Sequence, residues 1–264
     1  MNTSYDLFLF AGQSNMAGRG ITCTRFPEPA PTVSPEAGAE FRAISDPDRL
    51  YPIVEPFGVQ ENNPQGIFEP GMKTGSLVSS FVNTYYAKTK TPILGISASK
   101  GGSSILEWLP GTSYFHDLCK RYKRCLLYTS NHNIEIRSKY LLWCQGETDG
   151  DHGMSGEEYI RLFSEFWTAL KAEGIKHCFL IQIGHFNPYL TEPEAEFHDY
   201  SKIIAAQQRI PKEVPDVILV SRKFESMLHR GLMKDAFHYY QAAYNEVGKE
   251  AAEHAVINSM PHPF

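Results

Sequence analysis

Short apolar runs that alternate with amphipathic stretches constrain this chain more than any other feature. Tyr5-Asp6-Leu7-Phe8-Leu9-Phe10, Pro92-Ile93-Leu94-Gly95-Ile96-Ser97, Lys139-Tyr140-Leu141-Leu142-Trp143, Cys178-Phe179-Leu180-Ile181-Gln182-Ile183 and Val217-Ile218-Leu219-Val220 each have the length and the content of a buried strand. Helical patterns lie between them. Leu77, Val78, Phe81, Val82 and Tyr85 form one apolar stripe, and a second helix is predicted over 114–128. Ser155-Gly156-Glu157-Glu158 reads as a capping box. The helix it opens carries Tyr159, Phe163, Phe166, Trp167 and Leu170 on one face, with Gly174 as its stop. A further helix is predicted from about Glu194 to Arg209, and the last carries Tyr240, Tyr244, Val247, Ala251 and Ala255. Strands separated by helices need crossover connections, which make neighbouring strands parallel and cover both faces of the sheet. The prediction is an α/β chain of one domain over 1–264, with a mostly parallel sheet of about five strands.

Composition fits that class and narrows the partners. At 264 residues, 42% hydrophobic, the chain can enclose a large core. A net charge of −5 offers no electrostatic footprint for nucleic acid or an anionic membrane. No apolar stretch approaches the length of a membrane span, and no basic segment precedes an apolar one at the start. Cys23, Cys119, Cys125, Cys144 and Cys178 are an odd count without metal-like spacing, as expected of free thiols in a reducing compartment. The expected location is cytoplasmic, although a chain trimmed of a leader would read the same way. Residues 19–75 break the pattern: nine prolines, from Pro27 to Pro70, and no sustained period. This insertion leaves directly from the first strand's turn, and it either walls a site there or decorates the surface.

Parallel sheets bind ligands beyond the carboxyl ends of their strands. Three of those ends carry unusual residues. The first strand ends in Gly12-Gln13-Ser14-Asn15-Met16, a sharp turn that leaves Ser14 at the sheet edge, as a nucleophile or as a simple N-cap. Met16 breaks the Gly-x-Ser-x-Gly elbow, and it either lines a pocket or fills core space. The second strand ends in Lys100-Gly101-Gly102-Ser103, which is no phosphate loop because the lysine precedes the glycines. The third ends in Gln145-Gly146-Glu147-Thr148-Asp149. A serine needs a base, and the base an orienting group. Asp235-Ala236-Phe237-His238 can supply both, with the carboxylate on one imidazole nitrogen and the other nitrogen free to face Ser14. Acyl transfer also needs donors for an oxyanion. Candidates are the backbone N–H of Ser14 and Gly102 and the side-chain amide of Gln145; a flexible glycine turn and a loop-bracing amide are the plain alternatives. Trp108 is either a sugar-stacking platform or a core aromatic, and His152 reads as part of a polar loop rather than a metal ligand.

These residues, in this order and approximate spacing, resemble the SGNH hydrolase superfamily, and more closely its sialate O-acetylesterase/acetylxylan esterase branch, carbohydrate esterase family 6. In that branch Gln-Ser-Asn stands for the Asp-Ser turn, and Gln for the superfamily's block-three Asn. The resemblance implies a flavodoxin-like three-layer α/β/α fold and removal of O-acetyl groups from carbohydrate, such as acetylated sialic acid or xylan-type oligosaccharides, with no metal or organic cofactor. It implies Ser14 as nucleophile, His238 as general base, Asp235 orienting it, and Ser14, Gly102 and Gln145 around the oxyanion, with Gln13 and Asn15 in support. Glu147 either braces the Ser14 turn or serves as an alternative partner for His238. The same triad would serve a lipid ester or thioester hydrolase. A non-catalytic carbohydrate-binding protein has no need of the set.

Overall fold

The apolar run that opens the chain becomes the central strand of the sheet, β1 (Ser4–Gly12), buried from Asp6 onward. The computed structural model describes residues 4–191 and 197–259. After β1 come a one-turn helix α1 (Ser14–Ala17), two short strands β2 (Gly38–Phe41) and β3 (Leu50–Pro52), α2 (Val78–Thr89) and β4 (Ile93–Ser99). A 3₁₀ turn at Ile105–Trp108 leads into α3 (Ser113–Asn131), β5 (Glu135–Cys144), α4 (Glu147–Asp151), α5 (Gly156–Ala172) and β6 (His177–Ile181). The chain closes with α6 (Ser201–Glu213), β7 (Val217–Ser221), α7 (Phe224–Met227) and α8 (Gln241–Ser259).

The sheet has seven strands, in the order β3-β2-β4-β1-β5-β6-β7, not five. All neighbours are parallel except β2 and β3. Both additional strands come from the proline-rich insertion. Gly-Ala-Glu-Phe and Leu-Tyr-Pro are too short for a period to show, and Pro52 is tolerated because β3 is an edge strand. Alternation along β1 builds two cores. Leu7, Leu9 and Ala11 join the apolar faces of α3, α5 and α6, through Leu118, Phe166 and Ile203. Phe8 and Phe10 join α2 and α8, through Phe81, Tyr85 and Val247. The result is the three-layer α/β/α arrangement.

Two helix expectations shift. The Ser155 hydroxyl accepts from Glu158 N–H at 3.2 Å, but the Glu158 carboxylate turns to Arg161, so only half of the capping box forms. The helix expected from Glu194 begins at Ser201 and continues to Glu213; Glu194 itself lies outside the described residues. All five cysteines are free thiols. Among the described residues no helix is long and apolar enough to cross a membrane.

The insertion is held by buried polar groups together with irregularly spaced core residues such as Phe41, Ile53, Phe57 and Ile67, which is why it shows no periodicity. Arg121 on α3 is fully buried and donates to the carbonyls of Glu61, Ile67 and Ser97 as well as to Asp117. Asp117 in turn accepts from Asn63 at 2.8 Å and from Ile67 N–H at 3.0 Å. Glu55 takes the N–H and hydroxyl of both Ser76 and Ser79, which fastens the end of the insertion to the start of α2.

Chain order and strand order disagree around β1, and that disagreement locates the site. From β1 the chain builds β2, β3 and β4 on one side, then crosses to β5, β6 and β7 on the other. The register pairs Gly12 with both Ser99 and Cys144, so the loops after β1, β4 and β5 emerge side by side. Such a reversal opens a crevice at the carboxyl edge.

Candidate active site

The turn after β1 depends on a glycine. Gly12 has a φ of +137°, and a β-carbon there would lie 2.0 Å from the Cys144 carbonyl oxygen. With no side chain in the way, Gln13 N–H donates to that same carbonyl at 2.9 Å. The Gln13 side-chain oxygen accepts from Gly146 N–H at 3.0 Å, which ties the first loop to the third. Ser14 then stands as the first residue of α1, buried by its neighbours yet facing the crevice.

The histidine arrives from the loop before α8. Asp235 folds that loop on itself by accepting from the N–H of Phe237 at 2.8 Å and of His238 at 2.7 Å. The same carboxylate lies 3.0 and 3.1 Å from His238 Nδ1. An ionised carboxylate only accepts, so Nδ1 carries the proton and Nε2 keeps its lone pair. Nε2 is 2.9 Å from Ser14 Oγ, across 224 positions of sequence. Burial by itself would raise the Asp235 carboxyl. The hydrogen bond from His238 and the backbone N–H groups outweigh that and hold it well below the usual carboxylate range.

Asn15 joins these pieces. Its amide donates to Glu147 Oε1 at 2.6 Å and to the Phe237 carbonyl at 3.1 Å, and its oxygen accepts from Tyr244 on α8 at 2.6 Å. Glu147 therefore meets the Ser14 turn, and Asp235 meets His238; the two carboxylates that the sequence left as alternatives have separate positions. The Glu147 carboxyl is buried, with no partner for Oε2 among the described residues. Burial pushes it up to about 7, against the smaller opposing pull of the Asn15 hydrogen bond.

Of the three expected oxyanion donors, the geometry offers two. Gly102 lines the crevice with a φ of +68°, and among the described residues no protein acceptor takes its N–H or that of Ser14. Gln145 is turned away. It is fully buried and absent from the crevice wall, and its side-chain amide donates to the Ser103 carbonyl at 3.0 Å and to Asp149. Asp149 also accepts from Ser104 Oγ at 2.5 Å and Ile105 N–H at 3.1 Å. Both amide hydrogens of Gln145 are thus committed to bracing the loop that carries Gly102. Trp108 is no sugar platform: it is wholly buried against Trp143 at 5.3 Å, with its N–H on Ser103 Oγ. Met16 is a core residue as well.

The crevice encloses about 400 Å³. One of its walls comes from the insertion, through Phe68, Glu69, Pro70 and Met72, so that segment does border the site. Phe68 is 44% exposed at the mouth. Glu69 points inward, accepts from Gly101 N–H at 2.9 Å and forms a buried ion pair with Arg19.

Over residues 4–257 the sequence matches a family described as carbohydrate esterase, sialic acid-specific acetylesterase. The chain belongs to that family. It is accordingly a carboxylic ester hydrolase acting on acetylated carbohydrate. No curated protein sequence matches it. Solved structures share the fold at low identity. An Arabidopsis thaliana protein is 19% identical with a TM-score of 0.66, the match covering 98% of this chain and all of that one. A carbohydrate acetylesterase from Xanthomonas citri is 16% identical with a TM-score of 0.58, over 97% of this chain but only 57% of the other.

In this esterase the residues that sequence reasoning passed over are Arg19, Phe68, Glu69, Met72 and Phe237. Each lies in irregular chain, where neither a strand nor a helical period flags an inward side chain. The one available signal was the insertion's departure from the Ser14 turn.

Proposed function

We propose that this esterase removes O-acetyl groups from a sugar by way of an acetyl-enzyme on Ser14. The observation that supports it most is the continuous chain Asp235–His238–Ser14, with His238 Nε2 at 2.9 Å from Ser14 Oγ. A serine hydroxyl is a weak nucleophile until a base takes its proton at the moment of attack. Ser14 Oγ attacks the acetyl carbonyl carbon as its proton moves to Nε2, and the carbonyl π pair becomes the oxyanion. The N–H groups of Ser14 and Gly102 receive that charge. The C–O bond to the sugar then breaks, and Nε2 returns the proton to the departing hydroxyl. Water attacks the acetyl-enzyme, again giving its proton to Nε2, and acetate leaves as Ser14 regains its hydrogen. Asp235 stays ionised throughout and stabilises the imidazolium that forms twice.

Phe68 supplies the apolar surface for the sugar ring that buried Trp108 does not. An exposed aromatic at the mouth of a polar crevice suits the C–H face of a pyranose. Hydrolysis of 4-nitrophenyl acetate, and of an acetylated sugar followed by acetate release, tests the scheme with Ser14→Ala beside the wild type. Turnover of both substrates that vanishes in the variant is the expected result. Activity retained by Ser14→Ala sinks the scheme. Phe68→Ala should raise KM for the sugar ester and leave the nitrophenyl ester nearly unaffected.

A further inference from the structure

We propose that the buried Arg19–Glu69 ion pair sets the length of acyl group this esterase accepts and restricts it to acetyl; the proposal rests on Ser14 as the nucleophile. The position of the pair carries the argument. A β-carbon built on Gly101 would lie 3.4 Å from Ser14 Cβ, 2.3 Å from Glu69 Oε1 and 2.6 Å from Arg19 Nη2. One point in space therefore touches the nucleophile's side chain and both charged groups. The charged side chains are only 8% and 5% exposed, and both residues line the crevice.

Tetrahedral geometry assigns the directions. Of the four substituents on the carbon under attack, one is Ser14 Oγ and one is the oxyanion, held by the N–H groups of Ser14 and Gly102. The leaving oxygen must face His238 Nε2, which protonates it. The acyl carbon takes the remaining direction, away from His238 and along Gly101, where Arg19 and Glu69 form the wall. That wall is fixed: Glu69 Oε1 accepts from Gly101 N–H at 2.9 Å, and Arg19 Nη1 donates to the Gly18 carbonyl at 3.2 Å. A methyl group fits against it. A longer chain would press methylenes onto two dehydrated charges, which gain nothing from apolar contact and cannot be displaced without losing each other.

Stability alone does not call for such a pair, since buried ion pairs are often matched by apolar residues of similar volume. Glu69 Oε2 is moreover buried without a partner among the described residues, a cost that an apolar wall would avoid. A charged boundary beside the nucleophile suits rejection of apolar chains.

The test is the butyrate-to-acetate ratio of kcat/KM on 4-nitrophenyl esters, with propionate between them. Arg19→Met combined with Glu69→Leu removes both charges together and leaves none unpaired. Glu69→Gln, which keeps the shape and an acceptor for Gly101, serves as the milder second variant. Melting curves and labelling of Ser14 by a fluorophosphonate certify folding. The ratio should rise at least ten-fold in the double variant, the order by which an apolar pocket distinguishes one or two methylenes, and by a smaller factor in Glu69→Gln. A ratio unmoved in whichever variants fold and label, or acetate and butyrate falling in parallel, overturns the role of the pair. Wild-type turnover that does not depend on Ser14 overturns the nucleophile instead, and the two failures are read from different measurements.

Discussion

Replacing Glu147 by Gln tests how the Ser14 turn is held, and its effect can be worked out from the site. Burial lifts the Glu147 carboxyl from an ordinary 4.5 to about 7, and Oε1 holds the Asn15 amide at 2.6 Å. The unfolded chain releases this proton near 4.5, whereas the folded protein keeps it until about 7. Between those values the native state binds more protons, so stability falls as pH rises, and the loss is complete above the folded value. The displacement from 4.5 to about 7, at about 1.4 kcal/mol per pH unit, makes that loss about 3 kcal/mol. A glutamine cannot ionise, and its carbonyl oxygen can still accept from Asn15. Any offset in absolute stability between Glu147→Gln and the wild type at pH 4.5 is independent of pH. Urea unfolding of both proteins at pH 4.5 and pH 8 isolates the titrating part. The difference in unfolding free energy, variant minus wild type, should grow by about 3 kcal/mol over that interval. Parallel curves, within about 0.5 kcal/mol, would falsify the assignment of Glu147 as a carboxyl kept neutral by its burial.

Three further perturbations follow from the same geometry. Asp235→Asn presents an amide to His238 Nδ1 and favours the wrong tautomer, so kcat on 4-nitrophenyl acetate should drop on the order of 10³–10⁴-fold with the melting temperature little changed. A loss below ten-fold would count against that pairing. Gln145→Ala removes two donors from the brace under the Gly102 loop and should cost about 1–3 kcal/mol in denaturant unfolding. An unchanged stability with a hundred-fold drop in kcat would return Gln145 to the oxyanion. Gly12→Ala forces a methyl group into the Cys144 carbonyl and should destabilise by more than about 4 kcal/mol; soluble, wild-type-like melting would contradict the close approach of β1 and β5.

Local patterns were enough for much of this protein. The five long strands are apolar runs bounded by turn residues, and β1 shows its two-sided burial in alternating Leu and Phe. The Asp235–His238 contact was legible because it spans three positions, so a single turn of chain determines it. Ser14 and Gly102 were legible as residues at the ends of strands, where a parallel sheet exposes its ligands. Neither β2 nor β3 was, since four and three residues hold no period, and each depends on a neighbour: β2 on β4, and β3 on β2.

Other features were decided only when distant segments met. The Ser14–His238 hydrogen bond closes over 224 positions and exists because the sheet reverses its order around β1. Gln145 could have faced the crevice, but the Asp149 carboxylate and the Ser103 carbonyl claim both of its amide hydrogens. Trp108 is covered by Trp143 and Tyr114 from two other elements. Glu69 and Arg19 become a wall only through each other and Gly101. Hydropathy along a chain reports which side chains leave water. It does not report which neighbour a polar side chain will find there, because hydrogen bonds are allotted by competition among groups that only the folded structure brings together.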